Sequence, residues 1–455
     1  MTGTTASLDP STASAMVTDE ARRDLLSGAH RAVVVDSPPG AGKSTFVVAT
    51  AIAVAGHQGQ TPVVAQTNAQ ADDLCRSLLL ADAALEVGRL VGTSGSGLAR
   101  QPRLGVERTL TDLSHCDVVV ATAAKWTYAA ERATGLFGIG IVDEAYQMRS
   151  DQLLFVAPVF DHGLFVGDPG QLDPFTPIDD SRWRGYVEGP INPAVATVLH
   201  SHPASPVHKL PVSWRLPMRG APLVSEAFYP SMPFRAGTTE DQRQLRVRGT
   251  ARSVLDRAIR TAADSGWAFL ELPPRVAPPT DREAIETVAA LVTRLLAADI
   301  DVHDHVRTPA SAPLAAHRIA VGAAHRSQRA AIRLAVDRHS RSAGVDATDV
   351  VVDTANRLQG REYDVVVVLH PLSGRAAASE FHLETGRLCV LLLSRHRQAC
   401  IVVGRAGIAD VLDAHPGAMP VWLGDRIAVP DGWEANQVVL ERLQAVKFPS
   451  MATAR

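Results

Sequence analysis

Ser37-Pro38-Pro39-Gly40-Ala41-Gly42-Lys43-Ser44-Thr45 follows the apolar run 32–36 and leads into a second apolar stretch, 44–55. A strand that turns through closely spaced glycines into a helix opening on Lys-Ser is the form of a phosphate-binding loop. Backbone N–H groups of such a turn wrap phosphate oxygens, and the helix N-terminus adds its positive end. In this reading Pro39, Gly40, Ala41, Gly42, Lys43, Ser44 and Thr45 cradle the phosphates. Lys43 reaches the β- and γ-phosphates, and the Ser44 hydroxyl binds Mg2+. Ser37 stands where the signature has glycine, and its small side chain suits the same turn. The competing reading is a Gly/Pro turn before an ordinary helix cap. The strand on one side and the helix on the other weigh against it.

Outward from the loop, short apolar runs (62–66, 117–121, 139–143, 163–166) alternate with helix-like stretches such as 69–81. That alternation is the mark of β-α-β units and a parallel sheet. The run Ile139-Gly140-Ile141-Val142 ends in Asp143-Glu144, adjacent carboxylates that side-chain alternation sends different ways. Asp143 is expected to hold Mg2+ through its water shell, and Glu144 to polarise the attacking water as general base. An acidic pair at a strand end is common, so this reading leans on the loop upstream. Further on, Gly167-Asp168-Pro169-Gly170-Gln171-Leu172 closes another strand, and Gln171 is placed to sense the γ-phosphate or orient water.

The chain has 455 residues, 46% hydrophobic and 20% charged, which excludes disorder over its length and supplies a sizeable core. Its net charge of −3 conceals an asymmetry: residues 1–205 carry 14 basic and 22 acidic side chains, residues 206–455 carry 31 and 26. A polyanion should therefore feel the second half more than the first. Only four basic residues are lysines (Lys43, Lys125, Lys209, Lys447), so most arginines reflect compositional habit. Four cysteines without a C-x-x-C pair argue for reduced thiols in the cytoplasm, and no apolar run reaches membrane-span length. The H-x-H pairs His200/His202 and His303/His305 lie in polar stretches and do not read as zinc sites.

The ordered set S-P-P-G-A-G-K-S, Ala65-Gln66-Thr67-Asn68, Val119-Val120-Ala121-Thr122, D-E-A-Y-Q and G-D-P-G-Q-L resembles superfamily 1 helicases. It is most similar to the branch of the up-frameshift and senataxin-like enzymes, which move 5′→3′. Later segments keep the order: Ser213-Trp214-Arg215-Leu216-Pro217, Ala323-Ala324-His325-Arg326-Ser327-Gln328, Gln359-Gly360-Arg361-Glu362-Tyr363-Asp364 and Ser394-Arg395-His396-Arg397. The resemblance implies an α/β fold of two tandem RecA-like P-loop NTPase lobes with parallel sheets, ATP binding at the base of the cleft between them. It implies catalytic roles for Lys43, Glu144, Gln171, Arg215 and Arg395, the two arginines stabilising the phosphoryl-transfer transition state. Trp214 falls where the family stacks an aromatic on adenine, Glu362 contacts nucleotide or couples the lobes, and Gly360 belongs to the same nucleotide-coupled motif. No family-type Gln precedes the loop, which leaves ATP against other triphosphates open. Asp173 departs from the uncharged or basic residue usual after Gln171-Leu172.

The expected layout is a flexible lead at 1–25 with a short acidic helix at 19–26, lobe one at 26–205, lobe two at 206–410 and an extension at 411–455. A helix near 438–446 is expected to dock. The partner implied is single-stranded DNA or RNA, held by Thr67, Asn68, Thr122, Lys125 and Arg326, with Arg329 and Arg333 on the same helix face or simply solvated. Trp126 is a stacking surface or, equally in keeping with its apolar setting, core. A second arginine concentration, Arg243, Arg246, Arg248, Arg252, Arg257 and Arg260, has the same ambiguity. Only about 50 residues separate Thr67 from Thr122, which leaves no room for the large insertions of duplex-separating members and points to a compact, monomeric motor. Two other readings stay open: a nucleotide-gated switch that docks a protein or nucleic-acid partner without unwinding, and a small-molecule kinase, which would need neither the Q-G-x-E-x-D nor the arginine motif.

Overall fold

The computed structural model describes residues 8–449 except 94, 100, 173, 175–180, 184–185, 187–188, 307–309, 394 and 416–431. Asp173 and Ser394, named above, lie outside the described residues. The chain divides into two compact units, Met1–Pro169 with Asp173–Pro211, and Gly170–Leu172 with Val212–Arg455.

The first unit opens with α1 (Pro10–Leu26), β1 (Ala32–Asp36), α2 (Lys43–Gln58), β2 (Thr61–Ala65) and α3 (Asn68–Ala81). It continues through β3 (Val87–Leu90), β4 (Leu104–Glu107), β5 (Val118–Thr122), α4 (Ala123–Ala133), β6 (Phe137–Asp143) and α5 (Ser150–Val156). β7 (Phe160–Gly167), α6 (Ala194–Ser201) and β8 (Val207–Lys209) complete it. The eight strands form a parallel sheet in the order β4-β3-β5-β2-β6-β7-β1-β8. β1 and β2 are buried at every residue, as Val-rich strands covered by helices on both faces must be. Register aligns Asp36 with Gly167 and Asp143 with Val166, so the loop after β1 and the carboxylates ending β6 share one edge of the sheet. Sites in open parallel sheets sit at that carboxyl edge.

Two boundaries differ from expectation. The lead is a full helix from Pro10, not a flexible segment with a short acidic turn. Asp9 caps it by accepting from Thr12 N, and Pro10 occupies the first turn. Ala13, Ala21 and Leu25 are buried along α1, and Asp24 meets His208 Nε2 at 2.9 Å. Residues 206–211 belong to the first unit, because Val34 N donates to Pro206 O and Leu210 N to Asp36 O, adding β8 beside β1. Trp126 is core: it is fully buried, donates to Val63 O at 3.1 Å and meets Phe137 edge-on at 6.1 Å. Trp126→Ala is expected to destabilise the chain by about 3–5 kcal/mol in urea unfolding. A loss below about 1 kcal/mol, the range of surface substitutions, would place the ring outside the core.

The second unit begins with β9 (Val212–Ser213), α7 (Ala221–Phe228) and β10 (Arg235–Ala236), which pairs with β9. β11 (Arg243–Val247) leads to α8 (Val254–Ser265), β12 (Trp267–Leu272), α9 (Arg282–Ala297), β13 (Ile300–Asp304) and β14 (Ala312–Pro313). Then come β15 (Ile319–Ala323), α10 (Arg326–Ala343), β16 (Val351–Thr354), β17 (Tyr363–Leu369), β18 (His396–Arg405) and, last, β19 (Lys447–Pro449). Its parallel main sheet runs β16-β15-β17-β18-β12-β19, and β11-β13-β14 form a small antiparallel sheet. Each unit is a RecA-like α/β lobe. The helix expected near 438–446 spans Gly432–Gln444 and docks within its own unit, burying Ala435, Val439, Leu440 and Leu443 and pairing Arg442 with Glu226 of α7. The expected extension is thus integral to this unit, with β19 closing the sheet edge against β12. Among the described residues no helix is long and apolar enough to cross a membrane.

Candidate functional site

The phosphate loop takes the shape its glycines allow. Gly40 has φ 71° and Gly42 φ 88°, left-handed values that a β-carbon disfavours. Gly42 then caps α2 without any side-chain hydrogen bond, and no acidic residue sits in the first turn. The N–H groups of that turn have no intrahelical acceptor and suit an anion. Ser37 is buried, and its N–H donates to Gly167 O at 2.8 Å, tying the loop to β7. Pro39 and Ala41 are buried, whereas Ser44 and Thr45 are exposed at the helix start.

Lys43 Nζ lies 2.5 Å from Glu144 Oε1, and both side chains are largely buried. Burial opposes the lysine's charge, but Glu144, Asp143 and Asp168 outweigh it and raise the Lys43 pKa. Asp143 is 4% exposed; burial, then Glu144, raise its carboxyl above the usual range, while Lys43 and the Glu144 N–H pull it down. Glu144 has φ 53°, a left-handed conformation rare outside glycine, and Gln147 Nε2 donates to its Oε2 at 3.0 Å. Strain of this kind is tolerated where it aims a working side chain. Gln66 Nε2 donates to Asp143 O at 3.0 Å, fixing the strand end.

Two partners went unforeseen. Asp36, the last residue of β1, accepts from the Tyr146 hydroxyl at 2.7 Å. Burial raises its carboxyl, with the Tyr146 bond and Lys209 opposing and Asp168 reinforcing. Asp168, at the end of β7, is 2% exposed. A carboxylate closing an otherwise apolar strand was the available signal for Asp36. Lys43 therefore faces more buried negative charge than it can neutralise, which fits a divalent cation. Among the described residues no three His, Cys, Asp or Glu side chains converge into a metal cage. One buried carboxylate and one hydroxyl, Asp143 and Ser44, are instead what Mg2+ takes when waters and phosphates fill its other positions.

In the second unit, Glu362 receives Arg215 Nε at 2.9 Å and Arg397 Nη1 at 3.2 Å. Arg397 also grips Asp304 through Nε and Nη2 (3.0 and 2.7 Å), and Arg243 completes the chain, donating to Asp304 and to the carbonyls of Trp214 and Arg215. Burial would raise the Asp304 carboxyl, but Arg243 and Arg397 hold it below its ordinary range. Arg243 is thus a brace for the Trp214-Arg215 segment, not part of a basic surface. Trp214 is half-buried over Gly237, where a β-carbon would come within 2.4 Å of the indole. Arg395 is 1% exposed, with Nη1 3.5 Å from Arg361 O of the same unit. Gln171 groups with the second unit and accepts from Gln359 Nε2 at 3.1 Å; Gly360 sits in the turn just before β17.

The residues expected along a nucleic-acid strand are dispersed over loop ends. Thr67 caps α3 through Gln70, and the Asn68 side chain accepts from Arg89 at 2.8 Å. Thr122 caps α4, and Lys125 Nζ donates to Arg108 O at 2.9 Å. Arg326 is exposed, whereas Arg329 pairs with Asp353 at 3.6 Å and Arg333 with Asp337, so the arginine stripe of α10 is mostly internally compensated.

Residues 200–407 match the AAA domain family. The matched stretch is less than half of the chain; it takes in Arg215, Glu362 and Arg395 and leaves out Lys43 and Glu144. No curated protein matches the chain. Similar solved structures include the helicase Arterivirus nonstructural protein 10, 14% identical with a TM-score of 0.43, covering 85% of this chain and 61% of that one. The PRRSV helicase is 14% identical with a TM-score of 0.41, covering 96% and 67%. The Escherichia coli DEAH/RHA helicase HrpB is 13% identical with a TM-score of 0.41, covering 87% and 43%. The chain thus spans about three fifths of the Arterivirus protein and under half of the bacterial one.

Proposed function

We propose that this chain is a nucleoside triphosphatase of the superfamily 1 helicase type, of the up-frameshift and senataxin-like branch, which hydrolyses ATP with Mg2+ to move along single-stranded DNA or RNA. The observation that carries the reading is the convergence of the phosphate loop, Lys43, Asp143 and Glu144 on one sheet edge. In this reading Lys43 and the α2 N-terminus hold the phosphates. Ser44 and Asp143 would hold Mg2+, which would supply positive charge against the triphosphate. Glu144 takes the proton of the attacking water once its ion pair with Lys43 yields to the nucleotide. Gln171 orients that water, Arg215 and Arg395 act on the developing phosphoryl charge, and Trp214 offers a face to the base.

The test is nucleotide turnover at low salt with and without single-stranded DNA and RNA. Turnover should rise several-fold with a strand and the stimulation should fade as salt increases, because phosphate contacts release counterions. Hydrolysis indifferent to every strand at low salt would reject translocation. Capture of a strand only in the ATP-bound form, without movement along it, would favour the switch.

A further inference from the structure

The Arg89 side chain of β3 is fully buried, and its guanidinium divides among three acceptors. Nε donates to Asp72 Oδ1, Nη1 to Leu90 O and Nη2 to Asn68 Oδ1, each at 2.8 Å. Asn68 and Asp72 stand four residues apart on α3, about one turn, so a single planar fork reaches both. Asp72 is held in turn by the loop after β3: Ser96 Oγ donates to its Oδ1 at 3.0 Å and Gly97 N to its Oδ2 at 2.9 Å. Burial would raise the Asp72 carboxyl, but Arg89, the Gly97 N–H and Ser96 hold it below its ordinary range. Breaking a buried ion pair from one side is strongly unfavourable, so this network keeps the guanidinium in one orientation.

That orientation decides which way an exposed amide points. Asn68 opens α3 at the surface, where an amide could present its oxygen or its nitrogen. A guanidinium donates and never accepts, so Oδ1 faces Arg89 and Nδ2 is the end that faces away, with both of its N–H groups. Reading a base edge takes an asparagine's oxygen and nitrogen together, as in its bidentate contact with adenine. With Oδ1 engaged, Asn68 offers donors only. The group on a nucleic-acid strand that only accepts is the phosphodiester oxygen.

We propose that Asp72 and Arg89 are positioning residues that turn the Asn68 amide so that its N–H groups meet a phosphate oxygen of the single strand, whatever the base. The inference rests on the function proposed above and gives Asn68 a sequence-independent contact with the strand backbone.

The test uses the full chain with Asn68→Ala, Asn68→Asp, Arg89→Lys and the double variant Asn68→Ala/Arg89→Lys, each shown folded by circular dichroism. Binding of fluorescein-labelled 20-nucleotide oligo-dT, oligo-dA and oligo-rU is followed by anisotropy across a salt series. Asn68→Ala is expected to bind about tenfold more weakly, the cost of one hydrogen bond to a charged oxygen, and equally so on oligo-dT and oligo-dA. The slope of log Kd against log salt should not change, because a neutral amide releases no counterion. Asn68→Asp should melt no lower than wild type, since a carboxylate accepts well from Arg89. It should nevertheless bind more weakly than Asn68→Ala, having lost the donors and gained a charge that repels phosphate. Arg89→Lys, which cannot hold both partners with one fork, should weaken binding several-fold alone and add nothing in the Asn68→Ala background. Should Arg89→Lys misfold, the contrast between Asn68→Asp and Asn68→Ala carries the test. Wild-type chain that binds no strand overturns the parent reading and this contact with it. Wild-type chain that binds, with Asn68→Asp binding equally well, overturns the positioning alone. So does a loss confined to one base composition, or an Arg89→Lys loss of the same size in both backgrounds.

Discussion

Lys43→Ala is expected to abolish nucleotide turnover, lowering it by at least about a thousandfold, more than one missing oxyanion donor costs because a full charge is removed. Two losses add. The β- and γ-phosphates lose their point charge at the start of α2, and Glu144 and Asp143 lose the cation that faces them. With Lys43 gone, the buried carboxylates repel the incoming triphosphate, so nucleotide affinity falls with turnover. The same logic fixes the sign of a pH effect. Lys43 holds down the raised Asp143 carboxyl, so its removal lets the native state keep that proton to higher pH than the unfolded chain does. The variant's melting midpoint should therefore fall further below wild type at neutral pH than in weak acid, where the carboxyl is neutral. Steady-state hydrolysis, fluorescent-nucleotide binding and melting at two pH values check this. Wild-type turnover in Lys43→Ala would refute the assignment of the site.

The parts of this molecule that could be read from sequence are those whose cause is local. Gly40 and Gly42 have to adopt left-handed backbone, Lys43 has to open a helix, and Asp143 ends a run that is apolar enough to be buried. These constraints act over a few residues and survive any tertiary arrangement. What was not legible depends on register between distant strands. Val207–Lys209 reads as the start of lobe two, and becomes a strand of the first unit only because β1 has an open edge beside it. Arg243 reads as one more arginine in a basic stretch, yet β11 pairs with β13 so that Arg243 stands opposite Asp304, which Arg397 reaches from β18. The Asp36–Tyr146 bond spans 110 residues and depends on β7 lying between the two strands. The helix at Pro10–Leu26 was a different failure. Its start signal, Asp9-Pro10, was present and local, but the Thr/Ser/Ala-rich composition around it obscured the buried stripe of Ala13, Ala21 and Leu25.

Glu144→Gln should separate binding from chemistry. The amide keeps the size of the carboxylate and can still accept from Gln147, so the strained turn at φ 53° has no steric reason to relax. In the proposed mechanism what disappears is the base: an amide cannot take the proton of the attacking water, and loss of a general base costs about 10²–10⁴ in rate. Binding should move the other way. Lys43 is freed from its ion pair, and one of the negative charges facing the triphosphate is gone, so nucleotide enters against less repulsion. Asp143 also loses the like-charged neighbour that, after burial, raises its carboxyl most, and is left readier to serve a cation. The variant is therefore expected to hold ATP with Mg2+ at wild-type affinity or tighter and to release it unhydrolysed. Single-turnover hydrolysis and retention of labelled ATP through gel filtration report the two halves separately. Slow hydrolysis with equally weak binding would mean that Glu144 serves the loop as a structural partner of Lys43 and that the attacking water is activated elsewhere.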